Sequence, residues 1–255
     1  MSGPRPPTPA VQLRILGEYR GLLFVDKPAG LQTEPDARTQ DTLVSRLAAQ
    51  LGEPLARVHA LSRLDTGVSG VVTLGLSPEA RRMVQGWREQ GRFSRRYLAL
   101  ATGKPGARRG AWTESIGRAA GSLRAVAGRN AETAHTDFAL SQSTPRFDRA
   151  TDSALHLLAL SPRTGRTHQL RVHCAAHDLP LLGDRGYGGV SRLTSVSGAV
   201  QSLDRIALHA AWVELPLAVP LCIESLTPPF LLDIWRDFGG EAGAFEAARR
   251  ASVGA

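Results

Sequence analysis

The chain of 255 residues has only two cysteines, Cys174 and Cys222. With no CxxC pair and no histidine at zinc-finger spacing, neither a disulfide framework nor a structural metal organises it. No apolar run approaches the roughly 18 residues of a membrane span. Met1–Ala10 is proline-rich without an apolar centre, so it does not read as a signal peptide, and a cytoplasmic protein is expected. A phosphate-loop pattern, internal repeats and heptads are also missing. What remains is 42% hydrophobic content, with 26 glycines and 16 prolines spread along the chain, an ordinary globular composition that favours one catalytic domain.

Charge is not balanced. Lysine and arginine number 31 against 23 acidic residues, a net +8 in which arginine dominates. A basic excess favours a polyanionic partner. Arginine's planar fork binds phosphate bidentately and stacks on bases, which fits nucleic acid, although an arginine-rich proteome would produce the same bias.

Patterning suggests a mixed α and β chain. Residues 1–17 read as a flexible leader, with a strand over Gly21–Lys27 ended by Pro28–Gly30. Asp41 or Thr39 can cap a helix carrying Leu43, Leu47 and Leu51 on one face and stopped by Gly52. Ser77 and Pro78 open a second helix. Its arginines 81, 82 and 88 read as a solvated face. Arg95–Ala101 alternates as a strand with Tyr97, Ala99 and Ala101 on one side. Lys104–Asn130 reads as a long hairpin and its loops, followed by strands at 136–140 and 155–160. Thr167 should cap a helix starting at His168, and Pro180 marks its end. Two strands, about 208–215 and 222–226, precede an Ala-rich tail over 237–255, expected to fray.

One stretch carries chemistry. Asp65 lies in RLDTGVSG, where an extended segment breaks into a glycine-rich turn and re-enters an apolar strand through Val71, Val72 and Leu74. Strand rims display sites on rigid supports. Taken alone, such an acid is equally a solvated turn residue capping its own backbone.

Three blocks decide between these. RLDTGVSG after VHALS resembles the catalytic signature of RluA-type pseudouridine synthases. Arg95–Gly103 (RRYLALATG) is similar to that family's basic-x-Tyr strand, and Thr164–Gly188 (TGRTHQLRVHCAAHDLPLLGDRGYG) follows its later block almost residue for residue. LFVDKPAGL at 23–31 and RIALHAAWVEL at 205–215 extend the resemblance over about 18–236. Ser62 stands where the family usually has His, and Gly67 and Val68 replace a polar-Thr pair.

The resemblance implies an α+β catalytic domain over 18–236, with a largely antiparallel central sheet and a cleft across it. It implies an isomerase that converts uridines of structured RNA, ribosomal or transfer, to pseudouridine without metal or other cofactor, as a monomer with no obligate protein partner. Asp65 would be the catalytic carboxylate, acting as nucleophile or base. Tyr97 would stack on the flipped base and handle a proton. Arg171 would pair with Asp65, keeping it ionised and aimed, and its loss would spare the fold. Arg63, Arg96, Arg166, His168 and Gln169 would bind RNA. His168, His173 and His177 are not expected to bind metal, and His209 reads as a buried structural residue. Two rivals remain: an RNA-binding protein without turnover, and a glycosidase-type hydrolase, which needs a second carboxylate.

Overall fold

The computed structural model describes residues 12–253 except 122, 146–153, 195–197 and 199. Strand β1 (Arg14–Tyr19) pairs antiparallel with β2 (Leu22–Lys27). Ordered structure therefore begins inside the expected 1–17 leader, of which residues 1–11 lie outside the described part. Helix α1 (Leu43–Leu51) is capped by Thr42, whose hydroxyl accepts from the Ser45 N–H, and it ends at Gly52 in the left-handed region. Asp41 instead binds Arg46, and Thr39 lies too far from the helix start. Short β3 (His59–Ala60) leads through the Asp65 turn into β4 (Ser69–Gly75), every residue of which is buried. Helix α2 (Pro78–Glu89) begins as expected, with Ser77 accepting from Ala80 N–H and proline at the first position.

Strand β5 (Ser94–Ala101) follows. The 104–130 region is more than a hairpin. It supplies β6 (Arg109–Trp112) to the main sheet and, with a few residues beyond, a separate three-stranded sheet of β7 (Ile116–Arg118), β8 (Arg124–Val126) and β9 (Arg129–Glu132). Next come β10 (Thr136–Ser143), β11 (His156–Pro162) and α3 (Gln169–Ala176). A small hairpin, β12 (Arg192–Thr194) and β13 (Val200–Ser202), precedes β14 (Leu208–Leu215), β15 (Leu221–Glu224), α4 (Pro229–Asp237) and α5 (Ala244–Arg250).

The main sheet has ten strands in the order β1-β2-β4-β14-β5-β11-β10-β6, with β3 on β4 and β15 on β14. Its pairs are antiparallel except β14 with β4. At that parallel contact a Cβ on Gly70 would sit 2.2 Å from the Ala210 carbonyl oxygen, at φ +112°, so the strands meet only because residue 70 is glycine.

One apolar core lies on the face that includes Tyr97, Leu158 and Leu160, under α1 and α3. Another covers the opposite face, where Leu98, Leu157 and Ala159 pack on α4 and α5. The tail expected to fray is thus part of a core: Ala244, Phe245 and Ala248 are buried there. Alanine suits a helix lying close against a sheet, and burial rather than propensity holds it. No helix among the described residues is long and apolar enough to cross a membrane.

Candidate active site

The Asp65 turn is fixed from below. Val68 N–H donates to the Asp65 carbonyl (3.0 Å) and Gly30 N–H to the Thr66 carbonyl (2.7 Å). The unusual residues of this turn are accommodated. Ser62 accepts from Thr73 N–H (2.9 Å), Gly67 lies under Ile206, and Val68 is buried. Asp65 keeps a side chain 30% exposed, facing a cleft of ≈ 1530 Å³.

Lys27, which the sequence reading gave no role, ends β2 fully buried. Its Nζ donates to the carbonyls of Leu31 (2.6 Å), Pro28 (3.0 Å) and Thr66 (3.4 Å), tying β2 to the turn. Burial pulls its pKa from 10.5 down to about 8, with Asp65 acting the other way. Below about pH 8 the native state carries a desolvated ammonium, and above it the unfolded chain binds a proton that the native chain has released. Stability from this residue therefore rises with pH between about 8 and 10.5. The stability of wild type minus that of Lys27→Met should increase by roughly 1–3 kcal/mol from about pH 7 to about pH 10 in urea titrations, and a flat difference would contradict the buried charge.

Arg171 on α3 joins the parts. Its Nη1 donates to Asp65 Oδ2 (2.8 Å), while Nε and Nη2 donate to both oxygens of Asp184 (2.7 and 2.8 Å). The guanidinium lies 4.8 Å from the centre of the Tyr187 ring. Burial opposes its charge, but Asp184 and Asp65 outweigh burial and raise its pKa. Asp184, in GDRGYG, is 2% exposed and holds one edge of the fork so that Nη1 points at Asp65. The sequence reading assigned it no role.

Tyr97 lies on β5 at the floor of the cleft, 7% exposed, and burial raises its pKa, so it stays a neutral phenol. Arg95 is its neighbour in the cleft. Arg96 is not: it points to the other face, where it donates to the Ala251 carbonyl (2.6 Å) and stacks on Trp212. Successive strand residues face opposite ways, so Arg96 does not reach the cleft where an RNA contact was expected of it, and Arg95 is the arginine of the pair on that side, its Nη2 donating to the Pro162 and Thr164 carbonyls.

The other expected contacts divide. Arg63 lines the cleft, 68% exposed, 3.4 Å from Glu34. Arg166 lines it too, with Nε donating to the Thr133 carbonyl (2.9 Å) and Nη1 paired with Glu132. Gln169 is 4% exposed, and its amide is used internally: it accepts from Thr164 Oγ1 and Arg166 N–H and donates to the His135 carbonyl and Thr136 Oγ1. It is a loop-fixing residue with no free face for RNA. Helix α3 starts one residue later than expected, and its cap position is His168, in the left-handed region at φ 58°, not Thr167.

His168 bonds Tyr187 Oη through Nδ1 (2.8 Å), and its Nε2 is 3.9 Å from Asp65 Oδ2. Burial lowers its pKa, so it is a neutral hydrogen-bonding group near pH 7 and not a cation for phosphate. His173 bonds Thr136 Oγ1 and the Glu114 carbonyl, and His177 the Glu114 carboxylate, so the three histidines do not converge. His209 is buried against Ser69 (2.9 Å).

Comparison with known proteins identifies the family. A model of the RNA pseudouridylate synthase family matches residues 21–176. The uncharacterized RNA pseudouridine synthase YhcT of Bacillus subtilis is 33% identical over 80% of this chain, and ribosomal large subunit pseudouridine synthase D of Nitrosomonas europaea is 35% identical over 81%. This chain spans 64% and 58% of the lengths of those relatives. The solved structure of human RNA pseudouridylate synthase domain containing 1 superposes with a TM-score of 0.67 at 26% identity, covering 97% of this chain and 99% of that one. With the family model matched over more than half of its length and relatives 33% and 35% identical over four fifths of it, the chain belongs to the RNA pseudouridylate synthase family, of the RluA type.

Proposed function

We propose that the protein isomerises uridines in structured RNA, ribosomal or transfer, to pseudouridine. The observation that carries this is Asp65, partly open to the cleft, aimed by Arg171 and sharing the pocket with Tyr97. In the reaction the bond from ribose C1′ to uracil N1 breaks and one from C1′ to C5 forms. C5 loses a proton and N1 ends with one, so nothing is consumed and no redox group or metal is required. Asp65 supplies the carboxylate at the glycosidic bond, as nucleophile or base. The uridine leaves its stack and lies on Tyr97, whose hydroxyl relays the C5 proton in this reading. Arg63, Arg95 and Arg166 receive the flanking backbone. The acting unit in this reading is a monomer, working in the cytoplasm where such RNA is found.

The hydrolase reading fares worse. A second carboxylate, Asp184, shares Arg171 with Asp65, but it is buried and both its oxygens accept from Arg171, so it is held as the arginine's partner away from water. The test incubates the purified protein with unmodified ribosomal and transfer RNA transcripts and measures pseudouridine and free uracil by mass spectrometry. Pseudouridine alone is expected. Free uracil supports hydrolysis, and RNA binding without either product supports a binding protein. Affinity should also fall steeply with salt, since the basic cleft displaces counterions from phosphates, and a salt-independent affinity contradicts an extended phosphate footprint.

A further inference from the structure

Two residues at the cleft rim take no part in holding Asp65. Asp137 on β10 has a side chain only 7% exposed, while the arginine it holds, Arg163, is 65% exposed. Arg163 Nε donates to Asp137 Oδ2 (2.6 Å) and Nη2 to Oδ1 (3.1 Å), and His135 Nε2 lies 3.2 Å from Oδ1. A buried acid thus fixes a surface cation. Both residues line the cleft.

The backbone is fixed as well. Arg163 N–H donates to the His135 carbonyl (2.9 Å), and Arg95 Nη2 donates to the carbonyls on either side of Arg163, those of Pro162 (3.3 Å) and Thr164 (2.9 Å). The side chain is therefore locked at both ends. One edge of the guanidinium faces Asp137. On the other edge Nη1 makes no hydrogen bond among the described residues, on a side chain that is largely exposed. Such a group loses little further freedom when a ligand arrives, and its open edge suits a phosphate.

We infer that Arg163, aimed by Asp137, contacts a backbone phosphate of the RNA beside the uridine pocket, setting affinity and not chemistry. The inference rests on the RNA-modifying reading above. Asp137 is then a positioning residue. It acts by keeping the open edge of the arginine turned to the strand, at the rim of the same loop that carries Arg166.

The test measures modification kinetics and filter binding with unmodified large-subunit ribosomal RNA and transfer RNA transcripts. Arg163→Ala should raise KM and Kd about tenfold, with kcat within about twofold, and should reduce the slope of log affinity against log salt by roughly 0.7–0.9. Asp137→Asn keeps the cation, so the slope should stay while KM rises several-fold. Arg250→Ala, an equal charge loss on α5, should change neither. If Arg163→Ala unfolds because Asp137 is left buried and unpaired, the double variant Asp137→Asn/Arg163→Ala removes both charges and should show the same KM and slope changes. Arg163 variants that match wild type or Arg250→Ala overturn the inference alone. A wild-type protein that neither binds nor modifies either RNA overturns the functional reading, and this inference with it.

Discussion

Asp65→Asn is expected to abolish pseudouridine formation while leaving RNA affinity within about 1 kcal/mol of wild type. The substitution keeps shape and an oxygen that can still accept from Arg171 Nη1, now 2.8 Å away, but removes the charge that nucleophile and base mechanisms both need. Loss of such a group costs orders of magnitude in rate. Affinity survives because the tyrosine wall and the arginines of the cleft do not depend on a carboxylate, and removing a negative charge near a polyanion does not weaken binding. Thermal stability should change little, since the side chain is partly exposed. Wild type and variant would be incubated with the same unmodified RNA and compared by nucleoside mass spectrometry and filter binding. A variant that still forms pseudouridine at a comparable rate would remove Asp65 from the mechanism.

Arg171→Ala should lose both turnover and stability. The sequence pairs this residue with Asp65 alone, an arrangement whose loss would spare the fold. Asp184 changes that expectation: it is 2% exposed, and both of its charged hydrogen bonds come from Arg171. An uncompensated buried carboxylate costs about 3–5 kcal/mol. Adding Asp184→Asn to Arg171→Ala should restore much of the stability, because no buried charge remains, and none of the turnover, because Asp65 is still unaimed. Arg171→Lys should recover part of each, as an ammonium cannot serve two carboxylates with a fixed fork. Urea titration and single-turnover modification separate the two effects. An unchanged urea midpoint for Arg171→Ala would mean that Asp184 does not depend on it, and full activity in the double variant would mean that Asp65 needs no partner.

Asp65, Tyr97 and Arg171 were legible in the sequence because each sits in a block whose residue order resembles a known family. Arg95 on the cleft side is legible by a simpler signal. With Tyr97, Ala99 and Ala101 on one side of a strand, Arg95 shares their face and Arg96 does not. Gln169 reads as polar and available, and only its four internal hydrogen bonds show otherwise. Lys27 and Asp184 also sit in blocks that resemble the family, but their roles lie in partners 39 and 13 residues away, the Thr66 carbonyl and the Arg171 fork, which the residue order of a block does not report. The order of the C-terminal helix is not legible in its alanine-rich composition, which describes propensity, whereas that order comes from burying Phe245 against the sheet.

The parallel contact at Gly70 bears on how the molecule is made. Strand β14 lies between β4 and β5, with Ala210 in register with Gly70 on one side and Tyr97 on the other. Without it the sheet falls into two pieces, one carrying β1, β2, β3 and β4, the other β5, β11, β10 and β6. Asp65 enters the first piece, while Tyr97 and Arg171 belong to the second. A nascent chain that has emerged only as far as about residue 200 therefore exposes two raw sheet edges and holds its acid and its arginine on unjoined halves. Long-range pairing of this kind closes slowly. The strand that finishes the sheet is also the one that joins the halves carrying Asp65 and Arg171, so the 2.8 Å contact between them waits on one of the last strands to be made.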